Sequence, residues 1–330
     1  MRFLRRLLLF GLLLALLAGG AIAAGWWWLD HWLHTPNPLT AEAVVTIPKG
    51  SGLAAIADKL AEAGAVEDPR LLRLGARIAG KDRRLQAGEY AIEPGMTPLD
   101  ILDRLERGQV MLHAVTVPEG LTVYEVYGLL AGSDVLSGEL PPAPPEGTLL
   151  PDTYMVPRDQ DRAALVAQMR QDMTAYLDQL WAKRPPDLPL KSPAELLTLA
   201  SIIEKETSIS AEYPLVAAVF VNRLKKGIKL QTDPTVIYAL SDGKGPLGRE
   251  LLRKDLEVQH AYNTYVIDGL PPGPIANPGR GALAAAIAPA DVDYLYFVAD
   301  GTGGHTFAKT LNEHNRNVTK WRQIKKQAAD

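Results

Sequence analysis

The longest uncharged segment of the chain constrains its architecture most strongly. Three arginines within the first six residues precede a run of 23 residues, Leu7–Leu29, which carries no charged side chain and closes with Trp26–Trp28. As a helix, this run would extend about 34 Å at about 1.5 Å per residue, which is enough to cross a bilayer. Arginines on one flank and tryptophans on the other predict a single membrane span with residues 1–6 in the cytoplasm.

A cleaved signal peptide is the alternative interpretation of this segment. Ala21-Ile22-Ala23 resembles a processing site, at which residues 1–24 would be removed. The apolar run continues beyond that site into the tryptophans, which favours a retained anchor. In both cases the chain beyond about residue 35 lies outside the cytoplasm, in the periplasm of a Gram-negative cell, and a retained anchor places it in the inner membrane.

Composition excludes several classes of function. A chain of 330 residues is long enough for two domains, each with its own core. It contains no cysteine, so disulfides and thiolate metal sites are excluded. Its 35 lysines and arginines are balanced by 38 acidic residues, and this absence of a basic excess argues against a nucleic-acid partner.

A strand, a Pro/Gly turn and an amphipathic helix are predicted three times in the first half of the chain. The three pairs of strand-turn and helix are Val45–Gly50 with Leu53–Leu60, Ile92–Gly95 with Leu99–Leu105, and Val115–Gly120 with Val123–Leu130. Units of this kind resemble the LysM carbohydrate-binding module, which packs two helices on a small sheet. Any other α+β domain would produce the same pattern, so the pattern alone leaves both interpretations open.

The second half combines long helices with loops that are rich in glycine and proline. Helices are predicted over about 162–184, from Ser192-Pro193 onward and over about 212–226, and a strand is predicted over 294–299. Gln231–Pro234 and Gly269–Pro274 read as loops, and loops of this length in a compact domain are often functional. The expected fold class is α+β.

Two glutamates end the helix that begins at Ser192-Pro193. At about 100° per residue, Leu196, Leu199, Ala200 and Ile203 share one face, and Glu204 and Glu206 fall on its two shoulders. A carboxyl group on an apolar shoulder is partly withdrawn from water, which favours the protonated form that a general acid needs. A solvated helix end would accept the same residues, and the projection does not choose between the two glutamates.

Other kinds of catalytic site are not supported by the sequence. No G-x-S-x-G motif for a nucleophilic serine is present. Acidic residues and histidines are frequent near the C-terminus, but they lack the spacing of a metal site. We therefore expect neither a metal nor a cofactor.

Five segments of the C-terminal part carry the most specific information. They are TLASIIEKET, VFVNRLKKGIKLQTDPTVIYAL, AYNTYVIDGLPPGPIANPG, AAIAPADVDYLYFVADGTGGHTF and LNEHN, and Glu146-Gly147 and Pro151–Tyr154 precede them. In this order they resemble the MltG/YceG family of endolytic peptidoglycan transglycosylases, and the resemblance extends from about Val44 onward. Thr148–Leu150 departs from the aromatic residues that the family usually has there, which affects the wall of the cleft and not the reaction.

The resemblance implies a domain order and a reaction. It implies a membrane helix over 7–29, a linker over 30–42, a LysM-like subdomain over 43–112 and a YceG-type catalytic domain over 113–330. The first glutamate of the E-K-E-T motif, Glu204, would be the catalytic acid. It would cleave the bond between MurNAc and GlcNAc in nascent strands, leave 1,6-anhydroMurNAc ends and so terminate elongation. Glycan strands would be the substrate, and peptidoglycan synthases (penicillin-binding proteins) would be partners.

One carboxyl group is sufficient for this reaction, and the other groups must position the sugar. Polar and aromatic residues of the loops are the candidates for that role: Gln231, Tyr262, Asn263, Tyr265 and His305. Asp233, before Pro234, reads as a turn or capping residue. Two alternatives remain: a non-catalytic scaffold protein that binds the cell wall or the divisome, and a two-carboxylate muramidase that uses Glu204 and Asp233.

Overall fold

The computed structural model describes residues 2–329 and divides the chain into two compact units. The first unit comprises the residues up to His113 together with Met155–Asp159. The second comprises Ala114–Tyr154 and the chain from Gln160 onward. Helices and strands are mixed throughout, as the expected α+β class requires.

The first helix, α1, extends over Arg2–Leu33. Within it Arg5–Leu33 is long and apolar enough to cross a membrane, and it is the one helix of the described residues with this property. The helix continues four residues beyond Leu29, where the apolar run ends. Leu29 and Leu33 are buried at this end, and Leu33 packs against Gly75.

The remainder of the first unit packs three helices with two strands. Its elements are β1 (Ala43–Ile47), α2 (Leu53–Glu62), α3 (Pro69–Ile78), β2 (Gly88–Ile92) and α4 (Pro98–Glu106). Strands β1 and β2 are antiparallel, with Ala43 opposite Ile92. Ile47, Leu60 and Leu72 meet in the core between them. The predicted helices at 53–60 and 99–105 are confirmed, whereas α3 had no counterpart in the sequence interpretation.

The second unit contains most of the helices. Its elements, counting strands that begin or end at its boundary, are β3 (Leu112–Thr116), α5 (Val123–Ala131), β4 (Leu136–Ser137), β5 (Thr153–Pro157), β6 (Gln160–Asp161), α6 (Arg162–Trp181), α7 (Pro193–Glu206), α8 (Tyr213–Lys225), α9 (Asp233–Ser241), α10 (Arg280–Ile287), β7 (Tyr296–Ala299), β8 (His305–Ala308) and α11 (Leu311–Ala329). Strand β3 pairs with β5, β4 with β6, and β7 with β8.

Helix α7 occupies the centre of this unit, between α6, α8 and α10. The Ser192 hydroxyl accepts a hydrogen bond from the Glu195 amide and so caps the helix, and Pro193 occupies its first turn. All eight residues of Leu196–Ile203 are buried. The predicted apolar face is buried, but it is only part of the buried surface: the helix is enclosed around its circumference, and its charged residues are confined to its ends.

Helix α9 corrects a second sequence interpretation. The segment Gln231–Pro234 was expected to be a loop, but a helix begins at Asp233 with Pro234 in its first turn. Proline is compatible with this position because the amide that it lacks would have no partner inside the helix.

A core substitution in α7 tests its central position. We expect Leu199→Ala to lower the free energy of unfolding by about 2–5 kcal/mol, because Leu199 is fully buried and the cavity left behind cannot refill. Leu252→Ala is the matched control in the same unit, at a side chain that is 48% exposed, and should change stability by less than about 0.5 kcal/mol. Urea unfolding followed by circular dichroism measures both, and equal effects would contradict the packing described.

Candidate active site

The last turn of α7 directs three successive polar side chains to three different places. Successive residues of a helix point about 100° apart, so Glu204, Lys205 and Glu206 cannot share one environment. The Lys205 ammonium donates a hydrogen bond of 3.1 Å to the carbonyl oxygen of Gly120. The two glutamates face opposite sides of this lysine and differ in their partners.

Both carboxyl oxygens of Glu204 are bonded to the protein. Oε1 accepts a hydrogen bond of 2.8 Å from the Tyr213 hydroxyl, and Oε2 accepts one of 2.8 Å from the Gly279 amide. Gly279 precedes the first residue of α10, so the carboxylate also lies at the positive end of that helix. Burial and the bond to Glu204 raise the pKa of the Tyr213 hydroxyl, which therefore stays a donor. These contacts make Glu204 a link between α7, α8 and α10.

Glu119 lies close to the same point. Burial raises the pKa of its carboxyl group, and the nearby charges of Glu204 and Asp152 act in the same direction. A β-carbon at Gly279 would lie 1.8 Å from Glu119 Oε1, so a glycine is needed for the two segments to meet. Glu119 was not singled out in the sequence, because no spacing connects it to the α7 glutamates.

Glu206 faces a cavity of about 480 Å³ on the other side of the helix end. The polar side chains that share the cavity wall with it are Arg223, Gln231, Asp233, Tyr265, Tyr296 and His314. These residues come from separate motifs of the sequence, and the fold brings them together. A cavity of this size with a few convergent polar groups is typical of a small-molecule or sugar site.

The surroundings of Glu206 set its protonation. Burial raises the pKa of its carboxyl group to about 7; the charge of Asp233 adds to this rise, and the hydrogen bond from the Thr232 hydroxyl opposes it. His305 and Arg223 also lower the pKa, by smaller amounts. A carboxyl group with this pKa is protonated in a substantial fraction of molecules at neutral pH, as a general acid requires.

Asp233 and Tyr265 form the neighbouring wall. The Tyr265 hydroxyl donates a hydrogen bond of 2.6 Å to Asp233 Oδ1. Burial and this bond raise the pKa of Tyr265, which keeps its hydroxyl protonated. Asp233 was expected to be a turn or capping residue; it is the first residue of α9, one position after the N-cap residue Thr232, and it also faces the cavity. That Tyr265 contacts the sugar stays a prediction, and its position at the cavity wall favours it.

Gln231 enters the cavity from a strained backbone. Its φ of 52° lies in the left-handed region, which costs of order 1 kcal/mol or more for a residue other than glycine. The Gln231 amide donates to the carbonyl oxygen of Thr264 over 3.2 Å, a bond that holds this conformation. The side chain is exposed and lies at the cavity wall, where a sugar could reach it.

Asn263 does not have the surroundings expected of a sugar ligand. It is fully buried; its amide nitrogen donates to the carbonyl oxygens of Leu256 and Val258, and its Oδ1 accepts from the Tyr265 amide. This geometry does not support the predicted direct contact with sugar, because the amide nitrogen and oxygen are both hydrogen-bonded within the loop. Asn263 positions Tyr265 instead.

Tyr262 lies apart from the Glu206 cavity. Its ring packs against Tyr238 with centroids 4.8 Å apart, and burial and the charge of Glu146 raise the pKa of its hydroxyl. Tyr238 lines a different cavity, of about 330 Å³, together with Lys205. The Tyr262 ring therefore supports the core next to that second cavity, and nothing in its contacts connects it with Glu206.

His305 supports the end of α7. Its Nδ1 lies 2.7 Å from Glu212 Oε2, and its backbone amide donates to Glu212 Oε1 over 2.8 Å. The hydroxyl of Thr207, which directly follows Glu206, donates to Oε2 of the same carboxylate. Burial alone would raise the pKa of Glu212, but these bonds hold it below its usual value. His305 thus fixes the residue after Glu206 and is not among the residues that line the cavity.

His314 is a cavity residue that the sequence did not single out as a sugar ligand. Its ring stacks on Tyr296 with centroids 5.2 Å apart, and its Nδ1 is buried and has no hydrogen-bond partner among the described residues. Burial and the charge of Arg223 lower the pKa of the imidazole, so it stays neutral near pH 7. The signal was the LNEHN motif, whose histidine could have been placed near the site only with the fold known.

Comparisons with known proteins cover most of this region. The sequence profile of the YceG-like family matches residues 45–320. The endolytic murein transglycosylase of Bacillus subtilis (strain 168) is 32% identical over 314 residues, which cover 84% of this chain and 84% of that protein. The endolytic murein transglycosylase of Streptococcus pneumoniae serotype 2 (strain D39) is 29% identical over 323 residues, which cover 83% of this chain and 57% of that protein.

A solved structure agrees with these sequence matches. The crystal structure of a YceG-like protein from Listeria monocytogenes has 30% sequence identity and a TM-score of 0.50, and the match covers 83% of this chain and 98% of that one. The family match includes both α7 glutamates and every residue named at the Glu206 cavity. This chain therefore belongs to the YceG-like family.

Proposed function

We propose that this chain is an endolytic murein transglycosylase, a lyase that cleaves the β-1,4 bond between MurNAc and GlcNAc within a glycan strand and leaves a 1,6-anhydroMurNAc end. The names of the relatives from Bacillus subtilis and Streptococcus pneumoniae support this function. The observation that carries it is the Glu206 cavity, where a carboxyl group with a pKa of about 7 shares the wall with Gln231, Tyr265 and His314.

The reaction needs one group that first gives and then accepts a proton. Protonated Glu206 donates its proton to the glycosidic oxygen as the bond from that oxygen to C1 of MurNAc breaks. The C6 hydroxyl of the same MurNAc then attacks C1, and the Glu206 carboxylate takes its proton, which restores the acid. Because the nucleophile belongs to the substrate, its effective molarity is high and no second carboxylate has to activate water.

The choice between the two glutamates follows from their contacts. The sequence resemblance assigned the acid to Glu204, and that assignment stays the competing proposal. Glu204 uses both oxygens in hydrogen bonds to Tyr213 and Gly279, so both are already occupied by protein donors. Glu206 faces open volume, has a raised pKa and is followed by a residue that Glu212 holds in place. We therefore assign proton transfer to Glu206 and positioning to Glu204.

Gln231 and Tyr265, with His314, are the proposed sugar-binding residues. Each lies at the cavity wall beside Glu206, and each can donate or accept a hydrogen bond without adding a charge. Asp233 holds the Tyr265 hydroxyl and would favour the positive charge that develops at C1 in the transition state.

The first unit would bind the glycan strand and anchor the protein in the membrane. The order β1, α2, α3, β2, with two helices on an antiparallel pair, supports a LysM-like subdomain that binds glycan. The apolar helix α1 supports a single-pass anchor in the inner membrane with the catalytic domain in the periplasm. An anchored enzyme would meet nascent strands close to the synthases, the proposed partners, and cutting there would terminate elongation.

Two alternatives predict different products from uncrosslinked glycan strands. A scaffold protein would yield none, and a muramidase with two carboxylates, in which Asp233 activates water for Glu204 or Glu206, would leave reducing MurNAc ends. Mass spectrometry of strands digested by the detergent-solubilised full chain separates the three cases. Anhydro-ended fragments that come from cuts within long strands support the proposal. Anhydro-ended fragments that come only from cuts at the strand termini would contradict its endolytic part.

Paired substitutions test which glutamate transfers the proton. Glu206→Gln should lower the rate of anhydro-end formation by about 10²–10⁴-fold, because the amide has no acidic proton. Its melting temperature should be unchanged or higher, since burial disfavours the charge that is removed.

Glu204→Gln is the matched control, because it also replaces a carboxyl group by an amide on the same turn. It should slow the reaction by less than about tenfold, since it alters positioning only. It should lower the melting temperature, because the amide nitrogen can only donate, so one of the two hydrogen bonds must reverse its direction or be lost. The reverse ranking of rates would return the catalytic role to Glu204.

The pH dependence tests the surroundings of Glu206. Its acid must be protonated in the free enzyme, so kcat/KM should fall as the pH rises through about 7. Asp233→Asn removes a like charge, which lowers the pKa of Glu206 and should move this fall to lower pH. Thr232→Val removes a bond that stabilises the carboxylate, which should move the fall to higher pH. Shifts in the same direction for both variants would contradict the account.

A further inference from the structure

Helix α3 carries exposed apolar side chains next to unpaired arginines. Leu74 and Ile78 are 46% and 45% exposed, whereas Leu72 on the opposite face is fully buried. Arg70 and Arg77 are exposed on the same side of the helix as Leu74 and Ile78, since residues four and seven apart share a face. Neither arginine forms an ion pair within residues 2–329. The helix therefore presents an apolar strip beside a basic one to its surroundings.

The position of this strip is fixed by contact with α1. A β-carbon at Gly75 would lie 2.6 Å from Leu33 Cδ2, so the two helices approach as closely as a glycine permits. A cavity of about 180 Å³ lies along this contact, with Trp26 and Leu29 of α1 on one wall and Ile78 of α3 on another. Ile78, at the C-terminal end of the exposed strip, thus lies beside Trp26, and Asp30 and His34 line the same cavity.

Trp26 marks a defined depth in the membrane. If α1 spans the bilayer, Trp26–Trp28 belong to the interface between hydrocarbon and headgroups, where tryptophan is enriched. Ile78 lines the same cavity as Trp26, and both belong to one compact unit. Any side chain that shares the level of Trp26 and faces away from the protein must then face lipid.

We propose that α3 is an interfacial helix that lies on the bilayer spanned by α1, with Leu74 and Ile78 among the upper acyl chains and Arg70 and Arg77 at lipid phosphates. This inference rests on the proposed membrane anchor and is independent of the catalytic assignment. An amphipathic helix with arginines beside its apolar face binds anionic surfaces in this way. The contact would hold the first unit flat on the membrane instead of leaving it free to rotate about α1.

Single cysteine variants can test the contact cleanly, because the chain contains no cysteine of its own. Ile78→Cys carries the environment-sensitive fluorophore NBD at the proposed contact. Ile22→Cys, at a 73% exposed position within α1, reports whether the anchor is inserted. Val44→Cys is the matched control: Val44 is 50% exposed on β1 and alternates with the buried Val45, so it faces away from the helices of the unit.

The full-length labelled proteins are reconstituted in phosphatidylcholine vesicles, with and without phosphatidylglycerol and with lipids brominated near the headgroup end of the acyl chain. We expect NBD at position 78 to shift to the blue and to lose emission to the bromines nearly as much as NBD at position 22. NBD at position 44 should do neither. Phosphatidylglycerol should increase the loss at position 78, and Arg70→Gln with Arg77→Gln should remove that increase.

The outcomes separate this inference from the anchor. Quenching at position 22 without quenching at position 78 would overturn the inference and leave the anchor intact. A blue shift at position 78 without quenching would mean that a protein surface, such as a second copy of the chain, covers the helix, and would also overturn it. Absence of quenching at position 22 would refute the anchor and the inference together, and anhydro-end formation in the same samples reports the proposed reaction separately.

Discussion

The burial of α7 on all sides is the constraint on which the rest of the second unit depends. Because Leu196–Ile203 are buried around the whole circumference, the charged residues of the helix lie only at its ends. The final turn then projects Glu204, Lys205 and Glu206 into three separate environments. A carboxyl group at this point has no bulk water on its helix side, and its protonation depends on the few groups that the surrounding loops bring to it.

The two glutamates show how little local sequence determines chemical role. They lie two residues apart, yet one links three helices through Tyr213 and Gly279, and the other faces a cavity beside Asp233. Hydrogen bonds hold both oxygens of Glu204, whereas burial raises the pKa of Glu206 to about 7 and favours its neutral form. A reaction whose nucleophile is part of the substrate needs only one group of the second kind, and the neutral residues around it can serve for positioning.

The sequence predicted the elements that rest on local rules. The apolar span, the cap and proline that open α7, and the strand-turn-helix units all depend on periodicity or on turn residues, and the structure confirms them as elements. The same rules failed where tertiary contacts decide. Pro234 suggested a loop and instead lies in the first turn of α9, the helix projection identified one apolar face of α7 although the helix is buried on all sides, and the amide of Asn263 is used inside its own loop. The sequence also did not identify His314 as a cavity residue, because it is distant from Glu206 along the chain and only the fold brings the two together.

The most direct measurement is a crystal structure of the full chain with a glycan oligomer whose scissile glycosidic oxygen is replaced by sulfur, which slows cleavage. The account predicts that the sulfur lies within about 3–3.5 Å of a Glu206 carboxyl oxygen, close to hydrogen-bond reach, with the adjacent sugars against Gln231 and Tyr265. Glu204 should keep its bonds to Tyr213 and Gly279 in that complex. A sulfur atom in contact with a Glu204 carboxyl oxygen, with no sugar bound in the Glu206 cavity, would contradict the account.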